Sequence, residues 1–585
     1  MGGVRVAPVT PTAETRLRDN RFFRRQALIA LVLLSLPYCV LVAVTPRGST
    51  YTGVLFNPND TFLYYGQMAH AQHGAWLFRD YFTYLPSRPL VAYTLYSVLG
   101  HLVPAWTGAA GLALGFHLAR LALAALFMWQ AWKLYGEAAT SAVARRFGLL
   151  FLLFTSGAGL FQLLIPVFRG QEPPFDLLIT ESSSFAGLVF SPHFAAVLLG
   201  MVVYMRMLLA VSRRRGTDRV GAALVGAAAA VLATSIHPDK AAVMAVGTLA
   251  FVGWALWARR ISWPGALLAF GMLLPSIPYV LYSFALTGGD PQIRSLMAQG
   301  LPHESVPDPL VYFGFGLGLP LLLALTGVPR VVTLGRGLPV GEALMWSFVV
   351  AGLVITLVPF RNVGHRAEGL QLALAFLAGR GAVFEVMPRL WRSRAFRELA
   401  RRRPLGYSRR RLRVMTLNLA VIASSTSVLA LTFASPRAAL ADAPEAYASS
   451  ADLAATGWLR EHARPDDVAV GESTSSQFLV AYGGVRVVWG SFAYTPDYDR
   501  EGRRLAAFYL GHVDPQQYLR DRNTRWVYFS PRERLYAQIH PDQMPFLKRA
   551  YSYGDTAVYE LTSAPGRGSL PFRIALHPTA PSNVR

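Results

Sequence analysis

Eleven apolar runs dominate this chain, and each is close to the roughly 20 residues that a helix needs to cross a bilayer core. They fall at about 27–45, 107–132, 147–167, 185–211, 220–236, 241–258, 263–287, 309–327, 338–358, 369–387 and 414–433. Such a chain is predicted to fold as a polytopic α-helical membrane protein. Composition agrees. Of 585 residues, 53% are hydrophobic and only 15% are charged, against roughly 25% charged in an ordinary soluble domain. That is too little charge to cover a soluble surface, and far too much apolar side chain for disorder. The single cysteine, Cys39, excludes an intramolecular disulfide framework and a Cys-based zinc site. The first run is long, lacks a small-residue cleavage site and precedes many others, so it is a span and not a signal peptide.

One apolar segment, 89–103 (PLVAYTLYSVLGHLV), is short and begins at a proline. Counting it as a span would invert everything downstream and place Arg213, Arg214 and Arg215 outside. It is therefore read as an interfacial or re-entrant helix.

The net charge of +23 suggests nucleic-acid binding until the charges are located. Segments 1–26, 133–146, 212–219, 259–260, 328–337 and 388–413 hold 28 basic and 5 acidic residues. The short loops on the other side (46–88, 168–184, 237–240, 288–308, 359–368) hold 8 basic and 10 acidic residues. The positive excess lies beside hydrophobic spans on one side, which is the positive-inside pattern. Anionic lipid head groups account for it, and no nucleic-acid partner is expected. The basic segments are expected in the cytoplasm, and the transmembrane unit is bounded at 27–433.

After Ala434 charge becomes frequent and no 20-residue apolar run remains. WLREHARPDD and EGRRLAAFYLG read as helices; DVAVG, VRVVWG, RWVYFS and AVYEL read as short strands. Alternating strands and helices predict a small α/β domain over 434–562, outside the membrane by parity. Residues 563–585, rich in Pro, Ser and Gly, are expected to be disordered.

Ionisable groups near the outer face are the place to look for chemistry, because charge at membrane depth is costly. The first outer loop reads FNPNDTFLYYGQMAHAQHGAWLFRDYFTYLPSRPL. Phe62, Tyr65, Met68 and Ala69 recur at helical spacing, predicting a short amphipathic helix along the interface. Asn59 or Asp60 is placed to cap it.

In this loop the chain resembles the GT-C glycosyltransferases, polytopic enzymes that include protein O-mannosyltransferases and bacterial aminoarabinose and arabinofuranose transferases. The likeness rests on the acid after the first span, the amphipathic helix, the Gly74/Trp76 pair and the apolar helix after a proline. It extends to SPHF (191–194), HPDK (237–240), PFRNVGHRAEG (359–369) and the tail motifs WLREHARPDD, VRVVWG and TPDYDRE. It implies a polyprenyl-phosphate sugar donor, a glycan, lipid or protein acceptor, and Asp60 as the acceptor-activating base. Direct displacement at the anomeric carbon would then invert configuration. Many members carry two adjacent acids in the first loop; this chain has Asn59-Asp60, so a divalent metal has no support from the sequence and no cofactor is assigned. The resemblance also implies a bacterial cell membrane with the tail domain in the periplasm or outside. The Arg-to-Lys ratio of 53 to 3 agrees with high-GC coding.

The chemistry asks for a carboxylate to take a hydroxyl proton and for cations to hold a phosphate. Asp60 is the chosen carboxylate, and Tyr64 lies one helical turn beyond it. Arg361 and Arg366 flank a span end with His365 between them; they are phosphate ligands or interface anchors. His237, Asp239 and Lys240 share a four-residue connection and hold sugar or phosphate, or form a polar turn. Glu172, Asp176 and Glu181 lie in the second outer loop, with Glu181 favoured as a second acid; each is otherwise a solvated loop residue. His193 is a packed polar residue or part of the site. No HExxH, GxSxG or Walker A sequence occurs. Two other classes stay open: a transporter or flippase of a lipid-linked glycan, using Arg120, Arg206 and Arg380 inside the bundle, and a non-catalytic cell-wall assembly scaffold.

Overall fold

The computed structural model describes residues 13–139, 141–165, 175–299, 309–358, 366–402 and 408–562. Among them, nine helices are long and apolar enough to cross a membrane: Leu17–Ala43, Ala105–Ala138, Pro192–Arg213, Gly216–Ile236, Lys240–Trp257, Trp263–Gly289, Gly314–Gly337, Val340–Leu357 and Leu370–Arg392. A tenth results if Arg409–Ala423 and Thr426–Ala441, bent by 57°, form one span.

The difference from eleven has a local cause. The run at 147–167 is not one helix: Ala142–Phe154 stops, and Gly159–Leu164 restarts after a break. At that break the chain crosses a second broken helix. Ala158 N–H donates to the Phe315 carbonyl at 2.6 Å. Any Cβ on Gly157 would collide with the backbone of Phe315 and Gly316. Gly318 beside them has φ +50°, and Pro320 follows. Backbone this close requires glycine and leaves no room for two straight helices. The segment 89–103 forms only the nine-residue helix Thr94–Leu102, about 13 Å at 1.5 Å per residue, too short to span.

The two ends of the bundle are distinct. At one end Arg146 pairs with Asp19, Arg213 donates to the Glu137 carbonyl at 3.0 Å, and Arg219 donates to Ser262 at 2.9 Å. These belong to segments that charge assigned together to the cytoplasm, or border them. At the other end strand β1 (Ser49–Tyr51), just after the first span, pairs antiparallel with β2 (Tyr447–Ser449) at the start of the tail. The first outer loop and the tail domain therefore share one face of the molecule.

The tail carries a five-stranded sheet of order β4-β3-β5-β7-β6, made of β3 (Val468–Val470), β4 (Arg486–Val487), β5 (Thr524–Phe529), β6 (Leu547–Tyr553) and β7 (Thr556–Leu561). β4, β3 and β5 run parallel; β7 and β6 add antiparallel. Helix Ser450–His462 starts at a capping box formed by Ser449 and Asp452. The expected tail disorder, 563–585, lies outside the described residues.

One expectation needs correction. The loop helix, Pro58–Ala71, is not open on one side as an amphipathic surface helix would be: from Thr61 to Ala71 only His70 escapes full burial. Its apolar side packs Phe62 edge-on against Phe478 of the tail domain at 5.4 Å. Its polar side is also covered, with Gln67 donating to Ser97 at 2.7 Å and accepting from Tyr81 at 3.2 Å. The cap is Asn57, at φ 41°, with Pro58 in the first turn. Neither Asn59 nor Asp60 caps it. Asn59 instead accepts from Gln477 of the tail domain at 3.3 Å.

Candidate active site

A cavity of about 970 Å³ opens where the outer loop, the bundle ends and the tail domain meet. Its lining includes Asp60, Tyr64, Glu181, His193 and His237, residues spread over 178 positions of sequence. Each arrives for a local reason. Asp60 sits in the first turn of Pro58–Ala71, where the helix dipole favours a carboxylate, and Asn57 Nδ2 donates to its Oδ2 at 2.5 Å. Tyr64, one turn on, stacks on Tyr96 of helix Thr94–Leu102 at 4.1 Å. Glu181 lies in a short 3₁₀ turn and accepts from Thr180 at 2.6 Å. His193 opens helix Pro192–Arg213 just after the proline, its Nδ1 2.7 Å from both Tyr96 Oη and Ser191 Oγ. His237 ends helix Gly216–Ile236, and its ring lies 5.4 Å from that of His193.

Other predicted residues sit elsewhere. Lys240 and Asp239 do not line the cavity. Lys240 is fully buried behind it, 3.1 Å from Asp239 Oδ2 and 3.8 Å from Glu368 Oε2. Arg366 donates to the carbonyls of Ile355 and Val358 at the end of helix Val340–Leu357, so it caps a helix and is absent from the cavity wall. Asp176 is buried behind Leu177, accepting from Gly159 N–H at 3.4 Å. Arg361, His365 and Glu172 lie outside the described residues.

Sequence reasoning missed three charged wall residues: Asp80, Arg88 and Asp290. Arg88, exposed, is the one Arg or Lys among the described residues of the wall. It stands between Ser87 and Pro89, immediately before the apolar segment 89–103. Asp80 is only 6% exposed. Its Oδ1 accepts from Phe82 N–H at 2.9 Å, while Oδ2 has no hydrogen-bond partner among the described residues. Burial pushes this carboxyl up to about 7, against the opposing pull of the Phe82 N–H and the Arg486 charge. Asp290 caps helix Pro291–Gln299, accepting from Gln292 N–H at 2.8 Å.

The tail domain supplies Phe492, Ala493 and Tyr494 to the wall. The hydroxyls of Tyr494 and Tyr93 meet in a short hydrogen bond. Burial raises both phenols, and the carboxylates of Asp60 and Asp80 raise both further. Both tyrosines thus lie within electrostatic reach of both acids. Phe56 and Phe190, stacked at 4.3 Å, and Ile236 and Leu286 add apolar wall. No group of three or more metal-ligating side chains occurs among the described residues.

No protein-family profile matches the chain, and no curated protein does. Solved structures do. The oligosaccharyltransferase AglB of Archaeoglobus fulgidus, in complex with an inhibitory peptide and a dolichol-phosphate, aligns with a TM-score of 0.53 at 12% identity, over 88% of this chain and 70% of that one. ArnT of Cupriavidus metallidurans, bound to undecaprenyl phosphate, aligns with a TM-score of 0.50 at 13% identity, over 94% and 99%. The chain has the GT-C-like fold of these two structures. At 12–13% identity the likeness speaks for architecture alone.

Proposed function

We propose that the protein is a membrane glycosyltransferase that moves a sugar from a polyprenyl-phosphate donor to an acceptor hydroxyl at the outer face of a cell membrane. The observation that carries this reading is the shared cavity: a carboxylate, two histidines and an arginine from distant segments around one space with an apolar flank. Asp60 takes the proton of the acceptor hydroxyl. The hydroxyl oxygen attacks the anomeric carbon, the bond from that carbon to the phosphate oxygen breaks, and the polyprenyl phosphate leaves with the electron pair. One displacement inverts the anomeric centre. Arg88 and His237 hold the phosphate and stabilise the leaving charge, and the apolar flank takes the first isoprene units. Arg361 and His365 keep their assignment as further phosphate ligands, and Glu181 as a second acid.

A transport path has less support. Arg120 donates to the carbonyls of Leu34 and Leu188, Arg206 pairs with Glu137, and Arg380 with Glu342 at 3.0 Å. All three are engaged in packing, and none lines the cavity.

The test is Asp60→Asn, assayed for sugar transfer in membranes at matched protein level. A positioned general base contributes roughly 10²–10⁴-fold, so a loss of that size is expected. Transfer at near wild-type rate contradicts the assignment.

A further inference from the structure

The charged turn His237–Lys240 is only half explained by the site. His237 lines the cavity, but Lys240 is 0% exposed and contributes nothing to its wall. A buried ion pair between Lys240 and Glu368 is not accounted for by stability, because desolvating two charges offsets most of their attraction. The pair has a third member. Glu368, 2% exposed, sets its Oε2 2.7 Å from His237 Nδ1 and 3.8 Å from Lys240 Nζ. Glu368 comes from the connection before helix Leu370–Gly381, and His237 from the end of Gly216–Ile236. The contact therefore joins two segments 131 residues apart at the cavity wall.

We propose that Glu368 is the positioning residue of His237: it accepts the Nδ1 hydrogen, fixes the ring against the cavity wall, and makes Nε2 the atom through which His237 meets the phosphate of a polyprenyl-phosphate donor. A carboxylate on one ring nitrogen sets which nitrogen carries the hydrogen, and so what the other can do. Lys240 holds the carboxylate in turn, with Asp239 at its other side. His193 lies edge-on to His237, with ring centroids 5.4 Å apart. Glu368 is not in the cavity wall, so it acts through His237 and does not touch the donor. The inference rests on the lipid-phosphate reading above.

The experiment is a double-mutant cycle on the full-length protein in nanodiscs, with undecaprenyl phosphate as the binding probe and thermal midpoint as a fold control. His237→Gln is expected to weaken binding roughly 10- to 50-fold, as loss of one hydrogen bond to a charged group does. Glu368→Ala should weaken it by about as much. Glu368→Gln, which keeps an acceptor toward Nδ1 and loses only the charge, should fall between and also serves if the alanine variant does not fold. The double variant should bind no worse than His237→Gln alone, because Glu368 has nothing left to position. Independent, multiplying losses overturn the inference, as does wild-type affinity in a folded Glu368 variant while His237→Gln is weak. Wild-type protein that does not bind undecaprenyl phosphate overturns the lipid-phosphate reading and this inference with it.

Discussion

The two ends of the helix bundle handle charge in opposite ways. At the basic end, where arginine is in large excess, the carboxylates are paired with guanidinium groups. Asp19 meets Arg146, Glu137 meets Arg206, and Glu342 sits between Arg380 at 3.0 Å and Arg330 at 3.6 Å. Guanidinium and ammonium groups there also lie over aromatic rings, Lys133 over Trp129 and Arg145 over Trp132, each at 3.4 Å. At the cavity end, among the described residues, the four carboxyl groups of Asp60, Asp80, Glu181 and Asp290 line one cavity with one arginine, and Asp80 keeps an oxygen without a partner. Ion pairs hold the carboxylates of the basic end; carboxylates around open space are suited to proton transfer and to binding hydroxyls.

Swapping lesions between the ends tests that contrast. The largest effect is expected from Asp60→Asn, which should remove most transfer and leave the thermal midpoint unchanged. Glu342→Ala is its converse. Removing one member of a buried charge cluster costs roughly 3–5 kcal/mol, so unfolding in detergent should come at markedly lower temperature while transfer per folded molecule persists. If Glu342→Ala abolishes transfer in folded protein, the division between the ends is wrong.

Asp80 offers a pH test. Its carboxyl, at about 7 in the folded protein against 3.8 for an ordinary aspartate, binds its proton more tightly folded than unfolded. Stability therefore falls as pH rises from about 4 through about 7, by up to about 4 kcal/mol at 1.36 kcal/mol per pH unit. Asp80→Asn should raise the midpoint at pH 8 and change it little at pH 4.5. Equal shifts at both pH values would contradict the cause. The smallest effect is expected from Arg88→Ala, an exposed contact: undecaprenyl phosphate binding should weaken about 10-fold, with no change in midpoint.

How much of this was legible in the sequence follows from what sequence patterns carry. Apolar runs and the sidedness of arginine gave the bundle and its ends. DVAVG, VRVVWG, RWVYFS and AVYEL became β3, β4, β5 and β7, because buried strands advertise themselves with valine and aromatic residues. β6 (LKRAYSY) went unseen: it is an edge strand with mostly exposed or half-exposed side chains, so no apolar signal marks it. The break after Phe154 was invisible because its cause is another helix 160 residues away. Glu181 and His237 stood out as ionisable groups beside span ends, Asp60 and Tyr64 through the first-loop helix and its resemblance. Arg88 and Asp80 looked like ordinary loop charges, since only tertiary folding brings their loop over the cavity. Lys240 was noticed for its charge, but nothing local reveals that it points into protein instead of the cavity.

The most direct measurement is a cryo-EM map of the full-length protein with undecaprenyl phosphate. The phosphate is expected inside the cavity, within contact of Arg88 and His237, with the chain along Phe56 and Phe190 and Asp60 facing the space where a sugar would hang. A phosphate found at the basic end of the bundle, or bound outside this cavity, contradicts the account.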